Sequence, residues 1–344
     1  MPTGYSYLGV RYPKIAARLP RLPIGNFPTP LETSVGTDNG LWIKRDDCTH
    51  SLYGGNKIRK LEYLLAAARQ RGAQQLVTFG GVGSNHALAT ALHARQHRME
   101  CQCWLMPQRL TTSVAGTLQR HQNNESDLFV SPARRSDRIS AMRALRDIGD
   151  QSLSVVPLGG TSPLGSIGYV NAAMELAEQW QGRPPARVYV ASGTMGTAAG
   201  LAVGFSLLNW PTKVIAVRVT QPVQCSEHGM AKLCRKILHR LHASEPRINR
   251  RLTPRFELRT DYLGSDYADP TKKSQHAVQH AREQWGLALE TTYTGKVMAC
   301  LLDDLDGKPS EERWLYWHTY SGPAAPASTL APSYESLLSL CRSA

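Results

Sequence analysis

The chain alternates between two patterns of apolar residues, one typical of helices and the other typical of buried strands. Between residues 56 and 71, apolar side chains recur at spacings of three and four positions, which predicts a helix. Short apolar runs that end in glycine, such as QLVTFGG (75–81) and RVYVASG (187–193), predict buried strands instead. The same reasoning predicts further strands at 41–45, 101–107, 152–160, 213–220 and 312–322, and further helices at 84–95, 169–181, from the turn after 193 to 208, and 275–284.

Strands and helices therefore alternate along most of the sequence, which predicts an α/β fold with open, mostly parallel twisted sheets flanked by helices. In sheets of this kind, ligands bind beyond the carboxyl ends of the strands. The loops at 54–57, 80–86, 192–197 and 318–322 occupy that position. The length of 344 residues suits two sub-domains better than a single core.

Composition sets further limits on function. No apolar run approaches the roughly 20 residues that a membrane helix needs, and the first residues lack the apolar segment of a secretory signal. We therefore expect a cytoplasmic protein that does not bind a membrane. The seven cysteines are scattered, without the two short-spaced pairs typical of a zinc site, so we expect free buried thiols and no metal.

The formal net charge is +13. Lysine and arginine are spread along the chain, and the densest stretch, Lys232 to Arg259, has few aromatic residues that could stack on bases. We interpret the charge as a solvated basic face rather than as nucleic-acid binding, and keep polyanion binding as an alternative. A basic field would also attract a phosphorylated cofactor or an anionic substrate.

Two loop motifs place polar residues at the start of predicted helices. In GGNK (54–57), Lys57 follows two glycines at a positive helix end, where an amine loses its proton more easily and becomes a nucleophile. These four residues alone are more typical of a capped surface helix. In GGVGSNH (80–86), Ser84 and Asn85 are either plain N-caps or part of a loop whose backbone N–H groups bind an anion.

Two further motifs suit a phosphorylated, flat ligand. SGTMGTAAG (192–200) joins a strand to a helix through small residues, so backbone N–H groups and the hydroxyls of Thr194 and Thr197 could bind a phosphate. The motif lacks the features of a Walker loop and of a dinucleotide fingerprint, which favours a single phosphate monoester. YTGK (293–296) offers an aromatic ring and a hydroxyl, and is weak on its own.

Taken together, the motifs resemble fold-type II pyridoxal-phosphate enzymes, in particular the family of 1-aminocyclopropane-1-carboxylate deaminases and D-cysteine desulfhydrases. The resemblance implies pyridoxal 5′-phosphate as cofactor, a small amino-acid substrate and a homodimer. The matching stretches keep the family's order and are PTPLE (28–32), LWIKRDD with GGNKIRKLEYLL (41–65), VTFGGVGSNHALATALHA (77–94), VVPLGGTSPLGSIGYVNAAMEL (155–176), ASGTMGTAAGL (191–201), TTYTGKVM (291–298) and WHTYSG (317–322).

The resemblance assigns roles to the residues of the first two motifs. Lys57 matches the Schiff-base lysine, and Lys60, one helical turn further on, matches a phosphate contact. Asn85 matches the partner of the cofactor's ring hydroxyl. Ser84, Asn85 and His86 match the loop that binds the substrate carboxylate, and in the deaminases the serine is also a catalytic group.

The later motifs receive roles in the same way. Tyr293 and Tyr267 match tyrosines near cofactor and substrate, and Thr294 falls where the residue facing the pyridine nitrogen belongs. The phosphate cradle corresponds to Gly193, Thr194, Met195, Gly196 and Thr197. Deaminases resemble one another in carrying Glu in place of Thr294, which keeps the pyridine nitrogen protonated. A hydroxyl can instead donate to a neutral nitrogen, and β-elimination tolerates the weaker electron sink.

Three positions depart from the family pattern. Near the carboxyl terminus, HTYSG (318–322) places Tyr320 after Thr319 where the family has glycine, and this side chain could reshape a substrate pocket. Met195 stands where the phosphate loop often has glycine. The glycine-rich surroundings of Tyr267 are replaced by GSDYAD.

These considerations predict a large cofactor-binding domain, 1–54 plus 169–344, with a small domain, 55–168, inserted into it and the cofactor in the cleft between them. The predicted reaction is α,β-elimination on a small amino acid such as D-cysteine, in which Lys57 removes the α-proton and the product hydrolyses to pyruvate and ammonia. Two alternatives are 1-aminocyclopropane-1-carboxylate deamination and, because of Tyr320, a cofactor-binding protein without turnover.

Overall fold

The structure is a computed structural model that describes residues 6–33, 41–130, 152–306 and 311–320, together with positions 331, 334, 337, 339 and 341. Its contacts divide the chain into two compact units. The first comprises the described residues of Met1–Tyr63 and Thr161–Ser321, and the second those of Leu64–Gly160 and Gly322–Ala344. The domain bounds predicted from the sequence stay a prediction.

The first unit is built on a six-stranded sheet in the order β1-β2-β10-β7-β8-β9. Neighbouring strands are parallel except β1, which pairs with β2 in antiparallel orientation. The strands are β1 (Leu31–Thr33), β2 (Leu41–Arg45), β7 (Arg187–Ser192), β8 (Lys213–Arg218), β9 (Phe256–Arg259) and β10 (Trp314–His318). The central strands are almost wholly buried, as expected when helices cover both faces of a parallel sheet.

The second unit is built on a four-stranded parallel sheet in the order β5-β4-β3-β6. These strands are β3 (Gln75–Gly81), β4 (Glu100–Met106), β5 (Asp127–Val130) and β6 (Leu153–Val156). Within the described residues of the whole chain, the helices are α1 (Tyr7–Arg11), α2 (Pro13–Arg18), α3 (Lys57–Gln70), α4 (Asn85–Gln96), α5 (Thr112–Asn123), α6 (Pro163–Gln179), α7 (Gly196–Leu207), α8 (Glu227–Ser244), α9 (Lys272–Trp285) and α10 (Thr294–Leu305).

The core of the first unit lies on both faces of its sheet. Val188 and Val190 of β7 belong to the apolar cluster shared with α6, α7 and α8. Tyr189 and Ala191, on the opposite face of the same strand, belong to the cluster shared with α9 and α10. This alternation of side chains between two buried faces explains why β7 reads as a continuous apolar run in the sequence.

Small residues allow α6 and α7 to pack closely. A Cβ atom built on Gly200 would lie 2.4 Å from the carbonyl oxygen of Ser166, and one built on Gly204 would lie 2.4 Å from Cβ of Ala173. The small apolar residues after the third motif therefore serve helix packing. The same closeness holds between α6 and α3, since a Cβ on Gly168 would lie 1.9 Å from the carbonyl oxygen of Arg59.

The predicted α/β fold class with mostly parallel sheets is confirmed. Several details of the sequence prediction are wrong. Helix α6 begins at Pro163 rather than at 169, because Ser162 caps it and glycines within its first two turns obscure the apolar spacing. The strand predicted over 152–160 ends at Val156. No element was predicted for α1, α2, α5, α8, α10, β1, β5 or β9.

Candidate active site

A buried network of charges holds the first turn of α3, where Lys57 lies. Arg59 donates to both carboxylate oxygens of Asp46 at 2.7 and 2.8 Å, and to Glu175 Oε2 at 2.8 Å. Lys44 Nζ donates to Glu175 Oε1 at 2.7 Å. Burial alone would raise the pKa of Glu175, but Arg59 and Lys44 outweigh that effect and lower it to about 2. The ionised network therefore fixes the helix that carries Lys57.

Lys57 is linked to two other loops of the predicted site through its neighbour Asn56. Lys57 Nζ donates to Asn56 Oδ1 at 2.9 Å, and Asn56 Nδ2 donates to Thr197 Oγ1 at 3.1 Å. The backbone N–H of Asn56 donates to the carbonyl oxygen of Thr319 at 3.0 Å. Burial lowers the pKa of Lys57 to about 8, so a neutral amine is accessible near physiological pH. That Asn56 joins these loops was not predicted from the sequence.

The loop between β7 and α7 forms a cradle at a helix N-terminus. Met195 has a left-handed backbone with φ 67° and is the N-cap of α7. A Cβ atom on Gly196 would lie 2.6 Å from Thr161 Oγ1 and 2.9 Å from Lys60 Nζ, so only glycine leaves this space open. Thr161 Oγ1 in turn lies 2.7 Å from Thr194 Oγ1.

The polar groups around this cradle fit a phosphate monoester. Burial, and after it the positive charge of Lys57, holds the pKa of Lys60 well below its ordinary value, which a dianion beside Lys60 would reverse. Ser166 Oγ is buried and has no hydrogen-bond partner among the described residues. A Cβ on Gly196 would lie 3.1 Å from this oxygen, so Ser166 borders the same cradle. A phosphate oxygen would satisfy it. Ser166 and Thr161 were not identified from the sequence.

Two tyrosines of the first unit form a hydrogen-bonded pair. The hydroxyls of Tyr267 and Tyr293 are hydrogen-bonded to each other, and their rings meet edge to face with centroids 6.1 Å apart. Burial raises the pKa of both phenols, that of Tyr293 with an added contribution from Tyr267. Both hydroxyls are therefore protonated at neutral pH: one donates to the other, and the second keeps its proton for a further acceptor.

The hydroxyl of Thr294 already has an anionic partner, Glu290. Thr294 Oγ1 donates to Glu290 Oε1 at 2.9 Å and accepts from the backbone N–H of Glu290 at 3.0 Å. The Glu290 carboxylate also accepts from the backbone N–H groups at the start of α10, including that of Thr294 at 2.7 Å. A threonine hydroxyl has one proton and two lone pairs, so Thr294 retains one lone pair for a further partner. Glu290 was not identified from the sequence.

Beyond β10, Thr319 is buried and Tyr320 is half-buried. The structure thus brings the Thr319 backbone together with Asn56, while the part of HTYSG from residue 321 onward lies outside the described residues. His318, the last residue of β10, is buried, and burial lowers its pKa.

The remaining predicted residues belong to the second unit. Ser84 is the N-cap of α4, where its side chain accepts from the backbone N–H of Ala87 at 3.2 Å, and half-buried Asn85 follows it. His86 Nε2 accepts from the backbone N–H of Gly160 at 3.1 Å. Nε2 of His86 therefore carries no proton. Ser84 has a structural role as the cap of α4.

The described part of the chain shows neither a metal-binding cluster nor a membrane-spanning helix. Its residues contain no group of three or more histidine, cysteine or acidic side chains placed to hold a metal ion. Five cysteines are buried, Cys101 is partly buried and Cys48 is exposed, so the expectation of buried thiols is wrong for Cys48. No described helix has the length and apolar character needed to cross a bilayer.

A lysine of lowered pKa beside a phosphate cradle defines a site suited to pyridoxal phosphate, and the sequence agrees with this class. Residues 22–319 match the family of pyridoxal-phosphate dependent enzymes, and the chain belongs to this family. It is 33% identical over 324 residues to D-cysteine desulfhydrase of Klebsiella pneumoniae (strain 342), covering 89% of this chain and 95% of that protein. The predicted family, enzyme class and cofactor are confirmed.

Solved structures support the same conclusion. A crystal structure described as an ACC deaminase homologue matches with a TM-score of 0.76 at 29% identity, covering 95% of this chain and 98% of that one. The processed form of threonine deaminase isoform 2 from Solanum lycopersicum matches with a TM-score of 0.62 at 15% identity, covering 99% and 95%. At that identity, the second likeness supports the fold alone.

Proposed function

We propose that the protein catalyses α,β-elimination on a small amino acid with a β-thiol, with D-cysteine as the first candidate, yielding pyruvate, ammonia and sulfide. The observation that carries the proposal is the amine of Lys57, whose pKa is lowered to about 8, connected through Asn56 to the phosphate cradle. The likeness to D-cysteine desulfhydrase supports the choice of substrate.

In this proposal, Lys57 holds pyridoxal phosphate covalently, and Lys60, Thr161, Thr194, Ser166 and the N-terminus of α7 hold its phosphate. When bound, the cofactor supplies an electron sink that stabilises negative charge at the substrate's α-carbon. The Lys57 Nζ, when released, accepts the α-proton, because an amine with a pKa near the working pH combines basicity with a sizeable neutral fraction.

The tyrosine pair is proposed to protonate the leaving group. Tyr267 and Tyr293 both keep their protons at neutral pH, and the hydrogen bond between them lets one phenol stabilise the other as it donates. Ser84, Asn85 and His86 are proposed to bind the substrate carboxylate, with Asn85 also on the cofactor's ring hydroxyl. Thr319 and Tyr320 are proposed to line the substrate side of the site.

The test is turnover by the purified holoprotein with D-cysteine, L-cysteine and other β-substituted amino acids, with keto acid and sulfide as readouts. Lys57→Ala should abolish both, whereas Lys272→Ala, which changes an exposed lysine of α9, should retain wild-type rates. Wild-type turnover by Lys57→Ala would refute the mechanism. A coloured holoprotein that releases keto acid from no amino acid would favour cofactor binding without turnover.

Ring-opening deamination of 1-aminocyclopropane-1-carboxylate is a second candidate, and one observation favours it. The Glu290 carboxylate accepts the hydrogen bond that the Thr294 hydroxyl donates. Thr294 would therefore offer a lone pair, rather than a proton, to a pyridine nitrogen. That arrangement favours a protonated nitrogen and a strong electron sink, which ring opening needs. Release of 2-oxobutanoate from the cyclopropane acid, with no sulfide from cysteine, would establish this activity instead.

We further propose that the protein is a cytoplasmic homodimer, as the family resemblance implies. Light scattering coupled to size-exclusion chromatography should give twice the mass of the 37.9 kDa chain. A mass of one chain across the working concentration range would contradict this proposal.

A further inference from the structure

The exposed face of α8 forms a groove of about 750 Å³, and six of its eight lining residues are lysine, arginine or histidine. We call it the basic groove, and its lining residues are Pro163, His228, Lys232, Arg235, Lys236, His239, Arg240 and Ala243. All of them belong to the described part of the first unit, and none is a carboxylate. Six of the eight lining residues fall within the densest basic stretch of the sequence, Lys232 to Arg259.

The helix divides sharply into two faces. Its buried apolar side chains belong to the apolar core of the first unit and are Met230, Leu233, Cys234, Ile237, Leu238 and Leu241. Because the apolar face is packed into the core, the orientation of the helix is fixed, and the polar residues must face outward. The solvated basic face expected from the sequence is thus a fixed arrangement of cations on one rigid helix.

This arrangement opposes the stability of the helix itself. Lys232, Lys236 and Arg240 succeed one another at a spacing of four residues, at which like charges on a helix repel one another. Arg235 lies three residues after Lys232 and adds to the repulsion. The groove lining itself contains no aspartate or glutamate. An anion that lies along the groove would remove the repulsion.

The groove belongs to the same unit as the phosphate cradle. Pro163 is the first residue of α6 and follows its N-cap Ser162, so a positive helix end contributes to the groove. At the start of α8, a Cβ atom on Gly229 would lie 3.1 Å from Sδ of Met195, the N-cap of α7. None of the residues that line the groove is among those that border the cradle around Gly196.

The size and chemistry of the groove restrict its occupant. A volume of about 750 Å³ falls in the range of small-molecule sites, roughly 300–1,000 Å³. The lining contains no tryptophan, tyrosine or phenylalanine ring, the large aromatic surfaces on which bases typically stack. Arginine and lysine together are typical of phosphate recognition. We propose that the basic groove binds a small anion that carries two or more linked phosphate groups, at a site distinct from that of the cofactor.

Isothermal titration of the holoprotein with tripolyphosphate tests the proposal, because the cofactor then fills the protein's own phosphate cradle. We expect one saturable site per chain. The double variant Lys236→Gln/Arg240→Gln should weaken binding at least tenfold, about 1.4 kcal/mol. The control Arg69→Gln/Lys272→Gln removes one exposed arginine and one exposed lysine elsewhere, and should change the affinity less than twofold.

Three results would overturn the proposal: no saturable site in the wild-type protein, equal weakening by both double variants, or duplex oligonucleotide binding that is tighter than tripolyphosphate and equally dependent on Lys236 and Arg240. The last result would assign the groove to a nucleic-acid backbone. Binding is measured without turnover, so these outcomes are independent of the proposed elimination reaction. Circular dichroism of both double variants verifies that α8 is intact.

Discussion

Replacing Arg59 by methionine tests whether the charge network holds the helix that carries Lys57. Arg59 donates five hydrogen bonds, all to Asp46, Glu175 and Thr29. The side chains of the two carboxylates are fully buried, and that of Arg59 is 1% exposed. Removing one partner of a buried ion pair typically costs about 3–5 kcal/mol, because the other charge is left uncompensated.

The lower end of that range applies here. Lys44 still donates to Glu175 at 2.7 Å, and Tyr169 still donates to Asp46 at 2.7 Å. Methionine fills a similar length of the core, which limits any cavity. We therefore expect Arg59→Met to lower the free energy of unfolding by about 3 kcal/mol.

Urea denaturation of the wild-type and variant proteins measures this loss. Arg95→Met is the matched control, since Arg95 pairs with Glu125 at 2.7 Å but both side chains are more than half exposed. An exposed pair of this kind is worth about 0–1 kcal/mol. If Arg59→Met cost no more than Arg95→Met, the network would not stabilise α3, and the reasoning from burial would be wrong.

Further predictions concern the cradle, the two carboxylates and Lys57. Gly196→Ala should weaken cofactor binding at least tenfold in equilibrium dialysis, because its Cβ would lie 2.6 Å from Thr161 Oγ1, and unchanged affinity would contradict the cradle. Glu290→Gln should shift the ¹⁵N resonance of the labelled cofactor ring towards the neutral form, and an unmoved resonance would show that Glu290 does not set its protonation. In the apoprotein, modification of Lys57 by an amine reagent should reach half its maximal rate near pH 8, whereas a midpoint above pH 10 would contradict the lowered pKa. The pKa of Glu175 is lowered to about 2, so its contribution to stability should be present above the ordinary range of a glutamate, about pH 4.3, and fade as the pH falls towards 2. Urea denaturation at a series of pH values from 6 to 3 measures the free energy of unfolding. The difference in this free energy between wild type and Glu175→Gln should therefore shrink as the pH falls. A difference that stays constant would show that ionisation of Glu175 does not contribute to stability.

Strongly periodic or glycine-ended segments were predictable from local pattern. Strand β7 and helix α3 are examples, because apolar runs and three-four spacing follow directly from burial. Helix α8 was missed because its cations dominated the composition, although its apolar positions have helical spacing. Helix α6 was placed six residues late, since Gly165 and Gly168, the second of which lets the backbone of Arg59 approach, remove the apolar signal from its start.

The residues of the candidate site, like the helices and strands, could be predicted only where a local sequence motif marks them. Lys57 and the loop 193–197 stand in recognisable motifs, so their positions could be predicted from the sequence. Asn56, Ser166 and Glu290 act through contacts that depend on how separate segments meet, and no local pattern encodes such contacts. Glu290 also changes the chemistry expected of Thr294, because its carboxylate competes for the hydroxyl proton.

The covalent attachment of the cofactor is the most direct test of Lys57. Borohydride reduction of the holoprotein, followed by proteolysis and mass spectrometry, should place the phosphopyridoxyl group on the peptide that contains Lys57. The Lys57→Ala protein, treated in the same way, should carry none. Attachment to Lys60 or Lys296, or an unaltered yield from Lys57→Ala, would contradict the assignment of Lys57 as the residue that holds the cofactor.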